Sequence, residues 1–288
     1  MNPIQLEYVK ADGSRAISKF PIDLYKLDLS NKGIKEIDFS PLGEFSKLTK
    51  LILSRNHLEK IDFSSLEGCT TIEWIDLSHN SLSDITMESL QNIPSLQRIS
   101  LSYNPLFQIN LQPFTTLLNL EVLRLTCTRL DAVDLSPLSK LDKLRELSLA
   151  FNSLSKIDLG PLSSCSNLQI LLINRNRIQS VDLSPLSSCT QLRILNISDN
   201  QLETVDLSPL SECYSLHSLV LGMNRLMKID LRPLENLSNL KGLDLSENQL
   251  RYIDLSVLPY LSNMQEVLLF GNPLSKEFLR DYSSLEFL

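Results

Sequence analysis

A frame of apolar residues, L-x-x-L-x-L-x-x-N, recurs eleven times in this chain of 288 residues, and successive copies begin 24 residues apart. The first copy begins at Leu24 and the last at Met264, with no insertion or deletion between them. A fixed period of roughly 20 to 50 residues indicates a solenoid, because one unit cannot bury its own apolar face and must stack on its neighbours. The chain is therefore predicted to form one elongated domain that functions through an extended surface.

The unit from Leu192 to Ser215 reads LRILNISDNQLETVDLSPLSECYS, and its landmarks recur in the following unit. This frame resembles the leucine-rich repeat superfamily, in its intracellular type, over nearly the whole chain. The resemblance implies an α/β fold, a leucine-rich repeat solenoid shaped as a curved horseshoe or arc. A parallel β-sheet would line its concave face, and short 3-10 or α turns its convex face. The predicted parts are an N-terminal cap (β-hairpin) at 1-23, eleven repeats at 24-275 and a C-terminal cap at 276-288.

Each repeat begins with a short alternating segment, such as Leu195-Asn196-Ile197, which predicts a strand with its leucines facing inward. The Asn that ends the frame stands where the chain must leave the strand, and its side chain can pair backbone groups exposed by the bend. Two units lack this Asn and carry Lys32 or Thr128 instead. A local irregularity is expected around Thr128, because a hydroxyl cannot replace an amide.

The second half of a repeat reads I-D-L-S-P-L-S, in which Ser is predicted to be the N-cap and Pro to begin a single helical turn. The Asp of this segment recurs in eight repeats, and Thr86 and Asn110 replace it in two others. All three residue types offer a short oxygen acceptor, which favours a turn in which the side chain accepts a backbone N–H two residues on. A ladder of carboxylates that binds Ca²⁺ is the alternative.

Four of the five cysteines, Cys69, Cys165, Cys189 and Cys213, share one repeat phase that elsewhere holds apolar residues. They are interpreted as small buried hydrophobes, although the spacing alone leaves a metal site open. Secreted relatives usually have Cys-rich caps, which this sequence lacks. It also shows no basic segment followed by an apolar run and no membrane-length apolar stretch, so a cytoplasmic location is expected.

The outward positions of the predicted strands vary while the frame stays constant, which is typical of a binding surface on a fixed scaffold. Apolar residues gather there on adjacent strands, arginines concentrate in the same repeats, and the chain has one tryptophan. Scatter by neutral drift is the competing interpretation. The predicted partner-binding residues are Trp74, Arg124, Phe151, Ile170, Leu172, Arg175, Arg177, Ile194, Val220 and Met223.

These patterns favour a non-catalytic protein-protein interaction scaffold that binds a partner through its concave face. The partner is predicted to be a protein or peptide, of which an acidic one would suit the arginines, and the chain is predicted to be a monomer. A net charge of −7 argues against nucleic acid, and no membrane contact, cofactor, metal or catalytic residue is expected. One alternative is a regulatory or targeting module of a larger enzyme or signalling protein, related to phosphatases or small GTPases. A surface or secreted receptor is the less favoured alternative.

Overall fold

The computed structural model describes residues 3–66, 69–83 and 85–275. The predicted C-terminal cap at 276–288 lies outside the described residues. The chain divides into two compact units, Met1–Leu144 and Arg145–Leu288. Each unit contains a series of 24-residue repeats, and each is described separately below.

The first unit begins with an antiparallel hairpin, continues through a set of short parallel strands, and includes five 3-10 helices. Its strands are β1 (Ile4–Lys10), β2 (Arg15–Phe20), β3 (Lys26–Asp28), β4 (Ile34–Ile37), β5 (Lys50–Ile52), β6 (Trp74–Asp76), β7 (Arg98–Ser100) and β8 (Val122–Arg124). Its 3-10 helices are Ser40–Glu44, Phe63–Leu66, Glu88–Asn92, Gln112–Thr116 and Ser136–Leu138. Strand β1 pairs with β2 on one side and β4 on the other, both antiparallel. Strands β3 and β5 to β8 pair in parallel in chain order.

The second unit repeats the same alternation of one short strand and one short 3-10 helix. Its strands are β9 (Glu146–Ser148), β10 (Ile170–Leu172), β11 (Ile194–Asn196), β12 (Ser218–Val220), β13 (Gly242–Asp244) and β14 (Glu266–Leu268). Its 3-10 helices are Gly160–Ser164, Ser184–Ser188, Ser208–Leu210, Arg232–Leu234 and Leu258–Tyr260. Every pair of successive strands is parallel, and residues 24 apart lie side by side.

The predicted fold class is confirmed, because each unit has a parallel strand in every repeat and short 3-10 turns on the return path. Each 3-10 helix contains only three to five residues, because the 24-residue period leaves no room for a longer helix between two strands. No helix in the described part of the chain is long and apolar enough to cross a membrane.

Within each unit, the core is a stack of similar apolar layers, one for each repeat. In one repeat, Leu192, Leu195 and Ile197 of the frame are completely buried, as are their equivalents in the neighbouring repeats. Cys189 and Cys213 occupy this core as well, and burial raises the pKa of both thiols. Each fully buried Leu or Ile contributes about 1.5–3 kcal/mol to folding through transfer from water.

A ladder of asparagines joins consecutive repeats through backbone hydrogen bonds. Asn200 donates from Nδ2 to the carbonyl of Ile173 in the preceding repeat at 3.0 Å and to that of Ile197 in its own at 3.1 Å. Its Oδ1 accepts the N–H of Ile178 at 3.0 Å. The same bonds recur at Asn56, Asn80, Asn104, Asn176, Asn224, Asn248 and Asn272. The predicted role of the Asn is confirmed.

The irregularity expected at Thr128 is present. The Thr128 hydroxyl donates to the Leu125 carbonyl at 2.8 Å, while its backbone carbonyl accepts the N–H groups of Leu106 and Phe107. A main-chain oxygen thus takes the place of the missing amide oxygen. The chain responds with left-handed backbone at Phe107 (φ 59°) and Arg129 (φ 62°), which the equivalent positions of the complete repeats do not adopt.

The recurrent Asp closes the turn that precedes each 3-10 helix, as predicted. Oδ1 of Asp206 accepts the N–H of Ser208 at 2.9 Å, and Asn110 makes the equivalent bond to Gln112. The other Asp residues in this phase do the same. The predicted Ser N-cap is wrong. Ser208 is already the first helical residue, Leu207 is the N-cap, and the Leu207 side chain makes no capping bond. The Asp one residue earlier provides the acceptor.

Replacing Asn200 with Ala is expected to destabilise the protein by about 2–4 kcal/mol, because it leaves buried N–H and C=O groups of two repeats without partners. Urea denaturation measures the change. Gln179→Ala, at an exposed position in the repeat that precedes Asn200, is the control and should change stability by less than about 0.5 kcal/mol. Equal midpoints for the two variants would contradict this role of the ladder.

Stability is expected to fall as the pH drops from about 4 towards 2. The Ser208 hydroxyl and N–H lower the pKa of Asp206, and the guanidinium of Arg232 lowers the pKa of Asp230 to about 2. Because the folded pKa lies below the unfolded value of about 3.9, the stabilisation is complete above that value and is lost as these groups protonate. Thermal unfolding between pH 7 and pH 2 measures it. An Asp182→Asn/Asp206→Asn/Asp230→Asn variant keeps the acceptor oxygens, so its melting temperature should fall less between pH 4 and pH 2 than that of the unmodified protein. An equal fall in both proteins would contradict the prediction.

Candidate functional site

Apolar side chains interrupt the outward face of the strands in the second unit. Ile170 on β10 lies directly beside Ile194 on β11 in the parallel register, and Leu172 lies beside Asn196. Asn196 in turn lies beside Val220 on β12, so it separates Val220 from Leu172. We call the four apolar residues the isoleucine patch. All four are half-buried, so the patch combines a contiguous Ile170–Ile194 pair with two flanking residues.

The residue directly before each ladder position has left-handed backbone in every repeat. These residues, which we call the turn column, are Asn31, Arg55, His79, Tyr103, Cys127, Phe151, Arg175, Asp199, Met223, Glu247 and Gly271, with φ between 51° and 73°. For a residue with a Cβ this conformation costs roughly 1–2 kcal/mol, so the bonds around the turn must hold it. The column is therefore a fixed backbone position that presents a variable side chain.

In the second unit the turn column carries three side chains in direct contact. The guanidinium of Arg175 lies over the ring of Phe151, 4.6 Å from its centroid, and Arg175 Nε lies 3.2 Å from Asp199 Oδ2. Phe151 remains 40% exposed, and Met223, one repeat beyond Asp199, is 50% exposed. Exposed apolar side chains held by a fixed backbone offer a partner contact area at little cost in entropy.

The arginines of the second unit differ in their surroundings. Asp199 partly neutralises Arg175, whereas Arg177, two residues on, is exposed. Arg193 and Arg225 are exposed on neighbouring repeats as well. The basic character predicted around the apolar residues is thus accessible to solvent, with one of its charges compensated.

Two predicted residues lie in the first unit, separate from the group above. Trp74 on β6 is half-buried, and Lys50 Nζ lies over its ring, 5.4 Å from the centroid. Arg98 lies beside Trp74 on the following strand. Arg124 is exposed on β8, beside Ser100 of β7. The other predicted residues lie in the second unit: they are Phe151, Ile170, Leu172, Arg175, Arg177, Ile194, Val220 and Met223. The structure places Ile170 beside Ile194 and the Arg175 guanidinium over the Phe151 ring.

Two ring contacts in the first unit were not predicted from the sequence, one between two aromatic rings and one between a ring and a guanidinium. His79 stacks on Tyr103 with ring centroids 4.1 Å apart and planes 7° apart. Arg129 lies 5.4 Å from the centroid of the Phe107 ring. Tyr103 shares the turn-column phase with Phe151, so its exposure could have been predicted from the period. The pairing of Phe107 with Arg129 could not, because it depends on the altered backbone around Thr128.

The outward surfaces offer contact chemistry. Within residues 3–66, 69–83 and 85–275, no group of three or more His, Cys, Asp or Glu side chains is arranged to hold a metal ion. Burial raises the pKa of Cys213 to about 12, which keeps that thiol protonated and unreactive at neutral pH. The surface features that stand out are the half-buried aliphatics, aromatic rings and arginines.

Comparison with protein-family models shows to which family the chain is related. The family model described as "Leucine rich repeat" matches residues 46–106, 118–177 and 214–274, and a model for two leucine-rich repeats matches 166–212. This chain belongs to the leucine-rich repeat family. Members of the family are typically non-enzymatic scaffolds that bind proteins or peptides. No curated protein matches the chain significantly.

Solved structures show the same fold. The functional domain of InlJ from Listeria monocytogenes, which includes a cysteine ladder, superimposes with a TM-score of 0.66 at 22% identity, over 86% of this chain and 54% of that one. The internalin InlF of the same organism gives 0.65 at 24% identity, over 93% and 88%. A leucine-rich repeat protein of Leptospira interrogans gives 0.73 at 20% identity, over 85% and 72%. The chain thus spans about half the length of the InlJ domain and most of InlF.

Proposed function

We propose that this protein is a non-catalytic scaffold that binds a partner protein through the strand face of its second unit, the face that the family resemblance predicts to be concave. The observation that carries the proposal is the isoleucine patch, in which Ile170 and Ile194 lie side by side. Outside the patch, the outward strand positions of this unit hold polar or small residues except at Leu268. A contiguous apolar area on a strand surface favours an interface, whereas single exposed apolar residues need no explanation.

The turn column adds a second contact area to the proposed interface. Phe151 and Met223 are the large exposed apolar residues on it in this unit, and Arg175 braces the Phe151 ring. An aromatic ring with few remaining rotamers is the kind of side chain that becomes a binding hot spot.

We infer that the partner surface is apolar at its centre and acidic at its edge. Arg193 directly precedes Ile194, and Arg177 and Arg225 follow the ladder residues Asn176 and Asn224 in the same unit. All three arginines are exposed and would face the acidic groups in this proposal. Opposite charge at the edge of an interface mainly accelerates association, while the apolar centre provides affinity. In this proposal the protein acts as a monomer with one partner.

The exchange of Ile170 and Ile194 for Glu tests the proposed interface. The same column of the strand face already holds Glu at Glu146 and Glu266, so the fold accepts this residue there. The double variant is expected to recover at least about tenfold less of the partner in affinity capture followed by mass spectrometry, because two charges would be buried without counterions. Circular dichroism confirms folding.

A matched control for this experiment is Met227→Glu/Tyr260→Glu. Both residues are exposed apolar side chains of the same unit and lie outside its strands. The control should recover the partner as the unmodified protein does. If the Ile170→Glu/Ile194→Glu variant captured as much partner as the control does, the proposed interface would be refuted.

We also propose that the protein works in the cytoplasm. The support is that none of the five cysteines forms a disulfide and that four of them are buried in the core, which suits a reducing compartment. Fractionation of cells that express the natural gene is expected to recover the protein with cytoplasmic markers. Recovery of the protein in the extracellular or cell-surface fraction, or with oxidised cysteines, would contradict this location.

A further inference from the structure

Among the residues that the structure describes, the N-terminal sheet has an open edge at β2. The strand order of this sheet is β2-β1-β4, so β2 (Arg15–Phe20) pairs with described residues only on its β1 side. It runs for six residues in one-to-one register with β1, from Arg15 opposite Val9 to Phe20 opposite Ile4. The irregularity of the sheet lies between β1 and β4, and β2 contains neither a bulge nor a proline. Protein sheets usually protect an exposed edge with such features or with charged side chains, and β2 has only its two cations for this.

The hairpin geometry determines which backbone groups of β2 face outward. The Lys10 N–H donates to the Ser14 carbonyl at 2.9 Å and closes the hairpin. Hydrogen-bonded pairs alternate along an antiparallel ladder, so Ala16 and Ser18 bond to β1. The N–H and C=O groups of the residues between them, Arg15, Ile17 and Lys19, therefore point away from β1 and are available to another strand.

The side chains at the same three positions are exposed. Arg15, Ile17 and Lys19 alternate on one face of β2, and Ile17 is 55% exposed. Neither cation forms an ion pair with any residue in the described ranges. A shallow cavity of about 480 Å³ extends from Arg15 and Ile17 across the sheet.

The acidic groups of this sheet lie further inside it. Glu7 on β1 is opposite Ile17, and Glu36 on β4 is opposite Val9 of β1. A strand added to β2 would run about 4.8 Å from β2 and roughly twice as far from β1, so the nearest charges it meets are the two cations. The edge therefore has a basic-apolar-basic pattern.

We propose that the β2 edge binds an extended segment of a partner protein by strand addition, and that the segment carries an acidic-x-apolar-x-acidic pattern. Its backbone would pair with Arg15, Ile17 and Lys19, its apolar residue would pack on Ile17, and its carboxylates would face the cations. A second copy of this chain is a poorer occupant. Antiparallel pairing of two β2 strands about Ile17 would place Arg15 opposite Lys19 twice, and like charges in direct opposition are destabilising.

The test uses two fluorescein-labelled peptides with cores Glu-Thr-Val-Thr-Glu and Lys-Thr-Val-Thr-Lys, titrated with the full chain by fluorescence anisotropy. The acidic peptide is expected to bind at least tenfold more tightly than the basic one. Arg15→Glu/Lys19→Glu should reverse this preference. Lys156→Glu/Lys228→Glu, an equal charge change at exposed positions of the second unit, should leave it intact.

A backbone variant separates strand addition from simple charge attraction. Ile17→Pro removes an N–H that points away from β1, and an edge strand tolerates proline at such a position. The variant should bind the acidic peptide at least tenfold more weakly than the unmodified protein does. Ile17→Thr keeps the N–H, so it should reduce the affinity for the acidic peptide less than Ile17→Pro does. Circular dichroism melting verifies that each variant folds.

Three results would overturn the proposal. The first is that neither peptide binds at millimolar concentration. The second is that the acidic peptide binds the Ile17→Pro variant as tightly as the unmodified protein. The third is that Arg15→Glu/Lys19→Glu leaves the preference between the two peptides unchanged. Sedimentation of the unmodified protein as a dimer that Ile17→Pro dissociates would assign the edge to a second copy instead. This surface is independent of the isoleucine patch, so variants of Ile170 and Ile194 should not change peptide binding.

Discussion

The pairing of each turn by an asparagine of the next repeat is the constraint on which the rest of this structure depends. A chain that leaves a buried strand exposes N–H and C=O groups that would cost about 1–3 kcal/mol each if left unpaired. The Asn side chain has one acceptor and two donor hydrogens and satisfies groups in two repeats at once, as Asn200 does. Repeats are thereby held at one spacing, and an inserted residue would break the bonds on both sides.

The turn column is a second constant of the repeat. The residue before each ladder position adopts left-handed backbone whatever its side chain, even at Asn31 and Cys127, where Lys32 and Thr128 replace the Asn. The scaffold thus provides a constant position with variable chemistry. Where Thr128 interrupts the ladder, its carbonyl replaces the amide oxygen, and the backbone changes at Phe107 and Arg129. An exposed cation and ring are brought together there as a consequence.

The acidic outer turns illustrate how composition can mislead. Eight Asp residues dominate the regular turns, and their carboxylates accept backbone N–H groups within their own repeats. The neighbouring carboxylates repel one another, since Asp182 and Asp230 both act to raise the pKa of Asp206, but the hydrogen bonds from Ser208 outweigh them. The net charge of the chain therefore reflects turn formation and says little about either proposed binding surface.

The sequence by itself determined the repeat length, the buried frame, the parallel strands, the short 3-10 turns and the roles of Asn and Asp. Each of these depends on contacts that recur at a fixed spacing, so the period reveals them. It assigned the wrong N-cap, because Ser and Asp are both good acceptors and only the backbone geometry shows which one is used. The period also places Ile170 beside Ile194 and Asn196 between Leu172 and Val220, because residues 24 apart share a column, and the parallel register agrees. Tertiary structure alone decided that Arg175 braces Phe151 and that β2 pairs on one side only among the described residues, since these depend on rotamers and on pairing order between segments distant in the chain.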